Sequence, residues 1–319
     1  MAKEIRKIEV IPYDPAWPKQ FELEADQIKK ALGDLCIAIH HVGSTSVPGL
    51  AAKPKIDIIV VVKNNPMETI KKLEAVGFDY RGEFNIPLHY GFSKRGKISV
   101  NLHVYEEQHP EIELNLTFRD YLRNHPEIRD EYTALKQGLL EKESSFKKND
   151  SMFTGYNLGK DAFIRKVLKL AGFQRLRFVR CTHYDEWDTA KKLRQRYFFD
   201  KVPITDPYEW TFSHKDHVHF ILCRGVEMIG YAHIQLWPES RAAIRIIVVE
   251  ETERHQGYGK QFLEWIETWL KWSGYHSLHT ESSPDALSFY ERLGYKAMPF
   301  NDPDGYKGDP RDIPMGKVL

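Results

Sequence analysis

The chain has 319 residues, 42% hydrophobic and 29% charged, with a formal net charge of +1. That length predicts two domains rather than one. Basic and acidic residues balance within each half, which excludes charge-driven binding to nucleic acid in general or to a membrane surface.

The first half is expected to open with a strand at Ile8–Ile11, a helix near Trp17–Leu32 and the apolar strand "CIAIHHV". A loop rich in Gly, Ser and Pro follows, then "KIDIIVVV", a buried-strand run that carries one carboxylate, Asp57. "METIKKLEAVGF" has helical spacing, and "KISVNLHVYE" alternates as a half-buried strand with Asn101 and His103 on one face. Helices are expected from Phe118 onward, the last running from Asp161 to Leu170 with Gly172 as its C-cap. The boundary is set after Gln174, giving domains at residues 1–174 and 175–319, each α/β with a mixed sheet.

The second half begins with a strand at Leu176–Arg180 and helical segments over Trp187–Phe199. Three strands come next, "VHFILCR", "EMIGYAHIQLW" and "AAIRIIVVE", the first two joined by a turn at Gly225–Val226. After the third strand comes "ERHQGYGKQF", an Arg-x-x-Gly-x-Gly motif, and then an amphipathic helix. Glycines between a strand and a helix N-terminus suit an anion cradle, because free backbone amides and the positive end of the helix dipole face the ligand. The strand "SLHTESS", the helix "PDALSFYERLG" and closing strands near Tyr295–Met298 and Ile313–Val318 complete the chain.

The order strand, Arg-x-x-Gly-x-Gly, helix, strand and then "ALSFYERLGY" resembles the GNAT superfamily of N-acetyltransferases over nearly all of residues 176–319. The resemblance implies the GNAT (acyl-CoA N-acyltransferase) fold and acetyl-coenzyme A as co-substrate. It implies that Arg254, His255, Gln256, Gly257, Tyr258 and Gly259 hold the pyrophosphate. Val248 and Val249 would pair with the pantetheine arm, Val249 lying by the acetyl carbonyl, and Ser283 stands where many members carry an asparagine. Tyr290 matches the tyrosine that protonates the departing thiolate, a role suited to a phenol with an unperturbed pKa near ~10. The strand glutamate that some members use as general base falls at Ala243, so His219, His233, Glu250 and Glu281 are the candidates for that role. The loops "FFDKVPITDPYEW" and "FNDPDGYKGDPRD" offer Asp200, Asp206, Glu209, Asp302 and Asp304 to a cationic amine or to turn chemistry. His214, His217 and His219 cluster without the further ligands a metal site needs.

"HHVGSTSVPGLAAKPKIDIIVVV", "LNLTFRDYLRNHPE" and "YNLGKDAFI" resemble the GrpB-like family over roughly residues 8–173, which implies a nucleotidyltransferase-like fold. Gly43 and Ser44 match that fold's Gly-Ser loop and Asp57 its first carboxylate. Ile59, Asn101 and His103 stand where further carboxylates would hold Mg²⁺. The expectation is a nucleotide- or anion-binding domain without metal-dependent transfer, using Lys53, His103, Arg119 and Lys160. The leading expectation for the whole chain is an N-acetyltransferase acting on a small-molecule amine. A coenzyme A-binding sensor without turnover, and a nucleotidyltransferase centred on Asp57, stay open as alternatives. Three cysteines, Cys36, Cys181 and Cys223, form no Cys-x-x-Cys pair, and no apolar run has the length of a signal-peptide core or a membrane helix, which is the expectation for a cytoplasmic protein with no membrane partner.

Overall fold

A computed structural model describes residues 9–63, 66–148, 152–200, 204–305 and 308–319. The chain divides into two compact units, residues 1–177 and 178–319. Among the described residues no helix is long and apolar enough to cross a membrane.

The first unit contains α1 (Trp17–Leu32), β1 (Cys36–Val42), β2 (Lys55–Val62), α2 (Pro66–Ala75), β3 (Asp79–Gly82), β4 (Tyr90–Lys94) and β5 (Ser99–Glu106). Four helices follow, α3 (Pro110–Asn124), α4 (Pro126–Leu140), the single turn α5 (Gly155–Leu158) and α6 (Asp161–Leu170). The sheet order is β1-β2-β5-β4-β3, with β2 and β5 parallel and the remaining pairs antiparallel. β2 is inside the sheet and covered on both faces, which is why its sequence is a continuous Ile/Val run rather than an alternating one. Ile59 and Val61 pack with Val42 and Tyr105 beneath Ile112 and Leu116 of α3. Val47 and Leu50, in the loop after β1, are buried with Leu122, Tyr132, Phe163 and Val167 of α3, α4 and α6. Each of these side chains, once buried, contributes ~1.5–3 kcal/mol of transfer free energy, so the β1–β2 loop is fixed by packing on the helices.

Two expectations shift here. In place of a first strand, Ile11 makes a single bridge to Ala52, and Ile8 lies outside the described residues. The helix expected from Phe118 begins at Pro110, because the His109 ring accepts the Glu111 amide as a cap and Pro110 presets the first helical φ.

The second sheet contains β6 (Leu176–Arg180), β7 (His217–Arg224), β8 (Glu227–Trp237), β9 (Arg241–Val249), β10 (Ser277–Ser282), β11 (Lys296–Ala297) and β12 (Ile313–Val318), ordered β11-β12-β10-β9-β8-β7-β6. Its helices are α7 (Tyr184–Arg194), α8 (Tyr258–Trp272) and α9 (Leu287–Arg292). α7 runs into a π-helical turn, Gln195–Phe199. α8 buries the stripe Phe262, Leu263, Ile266, Trp269 and Leu270, spaced for one helical face.

β9 is where the sheet opens. The β8–β9 register jumps from His233↔Ile246 to Ile234↔Ile244, so Arg245 is the extra residue of a β-bulge. β9 pairs in parallel with β10 only over Arg241–Ile244 and Ser277–Thr280. Beyond the bulge, Ile246–Val249 keep their β8 partners and leave β10, which exposes one edge of β9.

Candidate functional site

The exposed β9 edge forms one wall of a cleft of ≈ 670 Å³, with the Arg254–Lys260 loop, Ala286, Phe289 and Tyr290 around it. Backbone alternation decides which groups face it. The Glu250 amide donates to Ile229 on β8, so the backbone of Val248 also turns to β8 and that of Val249 turns to the cleft. The Val249 carbonyl accepts from Arg254 Nε at 3.0 Å, and its N–H points into the opening. Ile247 shares this edge. Of the two residues expected to pair by backbone, Val249 is so directed, and Val248 contributes its side chain instead.

Gly257 caps α8 in the left-handed region (φ 82°), and a Cβ built there meets nothing within 4 Å. The first amides of α8 have no intrahelical acceptor, and they open on this cleft. Gly259 is different. Its Cβ would lie 3.7 Å from the Phe289 ring and 3.9 Å from Val249 Cγ2, so that glycine lets the start of α8 sit close to the sheet and α9. His255 is also left-handed (φ 63°), while Gln256 is exposed and not among the residues lining the cleft. Ser283 lines an adjoining hollow with Val248 and Arg254. Tyr290 is buried, 5% exposed, beside Tyr295, and burial pushes its phenol up to about 12 with Thr280 as hydrogen-bond partner.

On the far side of the bulge lies a second pocket of ≈ 780 Å³, walled by Phe198, Phe199, Trp210 and Trp237. Arg194, 1% exposed, organises its floor. It makes a two-pronged ion pair with Asp206 (2.5 and 3.0 Å) and donates to the Tyr231 hydroxyl and to His233 Nδ1, both at 3.1 Å. A guanidinium only donates. His233 Nδ1 is therefore the acceptor, and its Nε2–H donates to His217 Nδ1 at 2.8 Å. Neutral His217 then carries its proton on Nε2. By the same logic Tyr231 passes its proton to His219 Nδ1 at 2.6 Å. Burial lowers all three histidines, His217 to about 4 and His219 to about 3. His219 and His233, expected as bases, have no lone pair available to an incoming amine, and the stacked histidines form a donor chain rather than a metal site.

The acidic loops are similarly engaged. Asp302 pairs with Arg245, Asp206 with Arg194, Glu209 with Lys191, and Asp200 accepts from Gln195. Asp304 accepts from Gln235, which also accepts from Arg245. Glu281 sits on β10 where β9 leaves it. Burial raises its carboxyl pKa, and among the described residues it makes no hydrogen bond or ion pair.

The first unit holds a cavity of ≈ 630 Å³ at the β1–β2 loop. Gly43 (φ 68°) passes so close to Asp57 that a Cβ would come within 2.6 Å of its Oδ2, and Oδ1 accepts from Asn101 at 3.0 Å. Ile59 is fully buried, and His103, its partner in register on β5, bonds His89 at 3.1 Å. Lys53 and Lys160 lie 4.0 and 4.8 Å from the Tyr156 ring, and Ser44 Oγ accepts from Lys136 at 3.3 Å. Asp57 is thus the one carboxylate among the described residues lining this cavity, and it braces a loop, whereas a Mg²⁺ site for nucleotidyl transfer uses two or three.

Two family models match the chain, "GrpB protein" over residues 7–170 and "Acetyltransferase (GNAT) family" over residues 183–295. The chain belongs to the GrpB family and carries a GNAT domain. UPF0157 protein YqkA of Bacillus subtilis is 39% identical over 165 residues, 50% of this chain and 46% of that protein. The chain therefore spans about half the length of this relative. UPF0157 protein BH1888 of Halalkalibacterium halodurans is 41% identical over 138 residues, 43% of this chain and 71% of that one. The crystal structure of GrpB from Enterococcus faecalis is 38% identical, with TM-score 0.45, covering 51% of this chain and 96% of that chain.

In the GrpB domain, Gly43, Ser44, Lys53, Asp57, His103 and Lys160 all line the one cavity. Arg119 does not: it pairs with Asp120 and the His41 carbonyl. Sequence reasoning missed Lys136, although the signal was present, since it occupies the buried face of α4 between Tyr132 and Leu139 where an apolar residue is expected. In the GNAT domain it missed Arg194, which likewise sits on the buried face of its helix.

Proposed function

We propose that the GNAT domain is an acetyl-coenzyme A-dependent N-acetyltransferase acting on the amine of a small molecule. The observation that carries this reading is that the unpaired β9 edge, the open Gly257 loop and the buried Tyr290 phenol meet at one cleft. Bound acetyl-coenzyme A would supply an activated thioester carbonyl. Backbone amides at the start of α8, with the helix dipole behind them, suit its pyrophosphate. The Val249 N–H opens on the same cleft, and as a fixed donor it would oppose the negative charge that develops on the acetyl oxygen as the amine attacks.

Two protons must move. Glu281, whose carboxyl pKa is raised by burial and whose carboxylate has no hydrogen bond or ion pair among the described residues, is the group assigned to take the amine proton, directly or through water. Tyr290 stays protonated through neutral pH and donates to the departing thiolate. The aromatic walls of the ≈ 780 Å³ pocket suit a cationic small molecule through ring-face contacts.

The test is steady-state kinetics on an amine panel with Tyr290→Phe. Turnover should fall ~10²-fold or more, the range of a lost general acid, with acetyl-coenzyme A affinity retained. Unchanged turnover would remove Tyr290 from the chemistry, and a wild-type protein that binds no acetyl-coenzyme A would overturn the proposal.

A further inference from the structure

The ≈ 780 Å³ pocket of the GNAT domain contains one hydrogen-bond donor that the fold itself leaves unused. Arg194 donates to His233 Nδ1, and His233 donates from Nε2 to His217 Nδ1. A neutral imidazole whose Nδ1 accepts carries its proton on Nε2. His217 is 9% exposed and lines the pocket, and among the described residues its Nε2 makes no hydrogen bond. The tautomer is set from behind, because a guanidinium cannot accept and Arg194 is itself held by Asp206. The ring is set from the side by the Trp210 indole, nearly perpendicular to it with centroids 5.2 Å apart. An occupant that displaces water from this N–H without accepting from it loses affinity.

The charges nearby narrow the kind of acceptor. His214, Arg245, Asp216 and Asp304 all act on His217. Arg245 is paired with Asp302, and Asp216 with Lys215. Asp304 accepts from Gln235 at 2.7 Å and has no ion pair among the described residues. It leaves an uncompensated negative charge on the pocket wall, which would repel a ligand carboxylate brought to His217. A ligand ammonium there would meet an N–H that cannot accept from it. An uncharged oxygen meets neither objection. β7 lies two strands from β9, ~10 Å at ordinary strand spacing, so this oxygen is several bonds away from the nitrogen that attacks the thioester.

We propose, resting on the reading of this pocket as the amine site, that it takes an amine carrying an uncharged oxygen acceptor, bound by His217 Nε2–H in preference to a diamine or an amino acid. The oxygen is an amide carbonyl or a hydroxyl, two sources of the same chemistry. Arg194 and His233 are positioning residues, which keep the proton on the imidazole nitrogen that is left for the occupant. Phe198, Phe199 and Trp237 line the apolar part of the pocket and suit the carbon chain that joins the amine to its acceptor group.

The test titrates the full chain, with ¹⁵N-labelled histidine, with amines that share one carbon chain and differ at its far end. These are 6-aminohexanamide, 6-amino-1-hexanol, 6-aminohexanoate, 1,6-diaminohexane and hexylamine, followed by NMR. Free His217 should show the neutral Nε2–H tautomer. The amide, the alcohol or both should bind at least ~5-fold tighter than hexylamine, the range of one neutral hydrogen bond, and should shift the His217 Nε2–H signal. The acid and the diamine should bind more weakly than the preferred neutral ligand. Preference for the amide identifies a carbonyl, preference for the alcohol a hydroxyl, and equal binding any neutral oxygen. His217→Phe should bring the preferred ligand within ~2-fold of hexylamine, and the wild-type ranking decides the matter where that variant does not fold. Neither the amide nor the alcohol binding tighter than hexylamine, the acid or the diamine binding tighter than both, or a preference that survives His217→Phe would overturn the proposal. A parallel titration with acetyl-coenzyme A keeps the two readings apart. A neutral-oxygen preference in a protein that binds no acetyl-coenzyme A overturns the acetyltransferase reading alone, and acetyl-coenzyme A binding without that preference overturns this one alone.

Discussion

Replacing Gly257 by leucine and Gly259 by alanine should separate a ligand-facing glycine from a packing one. Gly257 is left-handed, so any L-residue there costs ~1–2 kcal/mol of conformational energy. Its Cβ would meet nothing within 4 Å, so no clash adds to that cost. For a unit of this size, the loss corresponds to a melting-temperature drop of about 2–4 °C per kcal/mol. The leucine side chain would project into the cleft where the helix amides open. Acetyl-coenzyme A affinity should fall at least ~100-fold, about 2.7 kcal/mol at ~1.4 kcal/mol per decade. Gly259 has an ordinary helical backbone, and its Cβ would make van der Waals contacts at 3.7–3.9 Å with Phe289 and Val249. Alanine there should stabilise α8 by ~0.5–1 kcal/mol and keep affinity within a few-fold. Differential scanning calorimetry and acetyl-coenzyme A titration of both variants read the two effects. Wild-type affinity in Gly257→Leu, or lost affinity in Gly259→Ala, would refute the assignment of the loop.

Glu281→Gln should lower kcat/KM ~10²–10⁴-fold and remove the acidic limb of the pH–rate profile. Because burial raises this carboxyl pKa, the wild-type rate should climb over a pH range above that of an ordinary glutamate; a limb that persists in the variant would exclude it as the base. Asp206→Asn leaves Arg194 buried without a counter-charge and should cost ~3–5 kcal/mol in urea unfolding; a loss below ~1 kcal/mol would mean that water reaches the guanidinium. Lys53, Lys136 and Lys160 have folded pKa values of about 8, 7 and 8, below their unfolded value near ~10.4. The unfolded chain therefore binds more protons across this window, and unliganded stability should rise from about pH 7 toward ~10. Lysine-to-glutamine variants followed over the same pH range should lose that rise, and a parallel slope in variant and wild type would contradict it.

Much of the fold was legible because local patterns and tertiary demands coincide. The Ile/Val run of β2 needs cover on both faces, and the α8 stripe needs one packed face. The strand, glycine loop and helix around Gly257 were legible for the same reason, and Gly257 caps α8 in the left-handed region. What stayed hidden depends on register or on distance in sequence. The bulge at Arg245 leaves no compositional trace, yet it separates β9 from β10 and fixes which valine turns its backbone to the cleft. Arg194 and Lys136 meet partners 12 to 92 residues away, so their roles appear only once the helices are packed. The aspartates of the acidic loops look available in sequence, but the arginines that neutralise two of them come from other elements.

The two clefts differ in the elements that supply their positive groups. At the α8 loop, backbone amides and the positive end of the helix dipole open on the cleft, together with Arg254, Lys260 and Arg292 against the one lining carboxylate Glu253 among the described residues. In the GrpB domain Gly43 caps a short 3-10 turn, Ser44–Ser46, rather than a long helix, so no comparable dipole is available. Lys136 of α4, Lys160 just before α6 and Lys53 of the β1–β2 loop supply positive charge along that cavity instead. Charge delivered by long side chains must be buried in the absence of ligand, and their lowered pKa values measure that cost. Asp57 is held by Asn101 and crowded by Gly43, and it is the one carboxylate among the described residues lining that cavity.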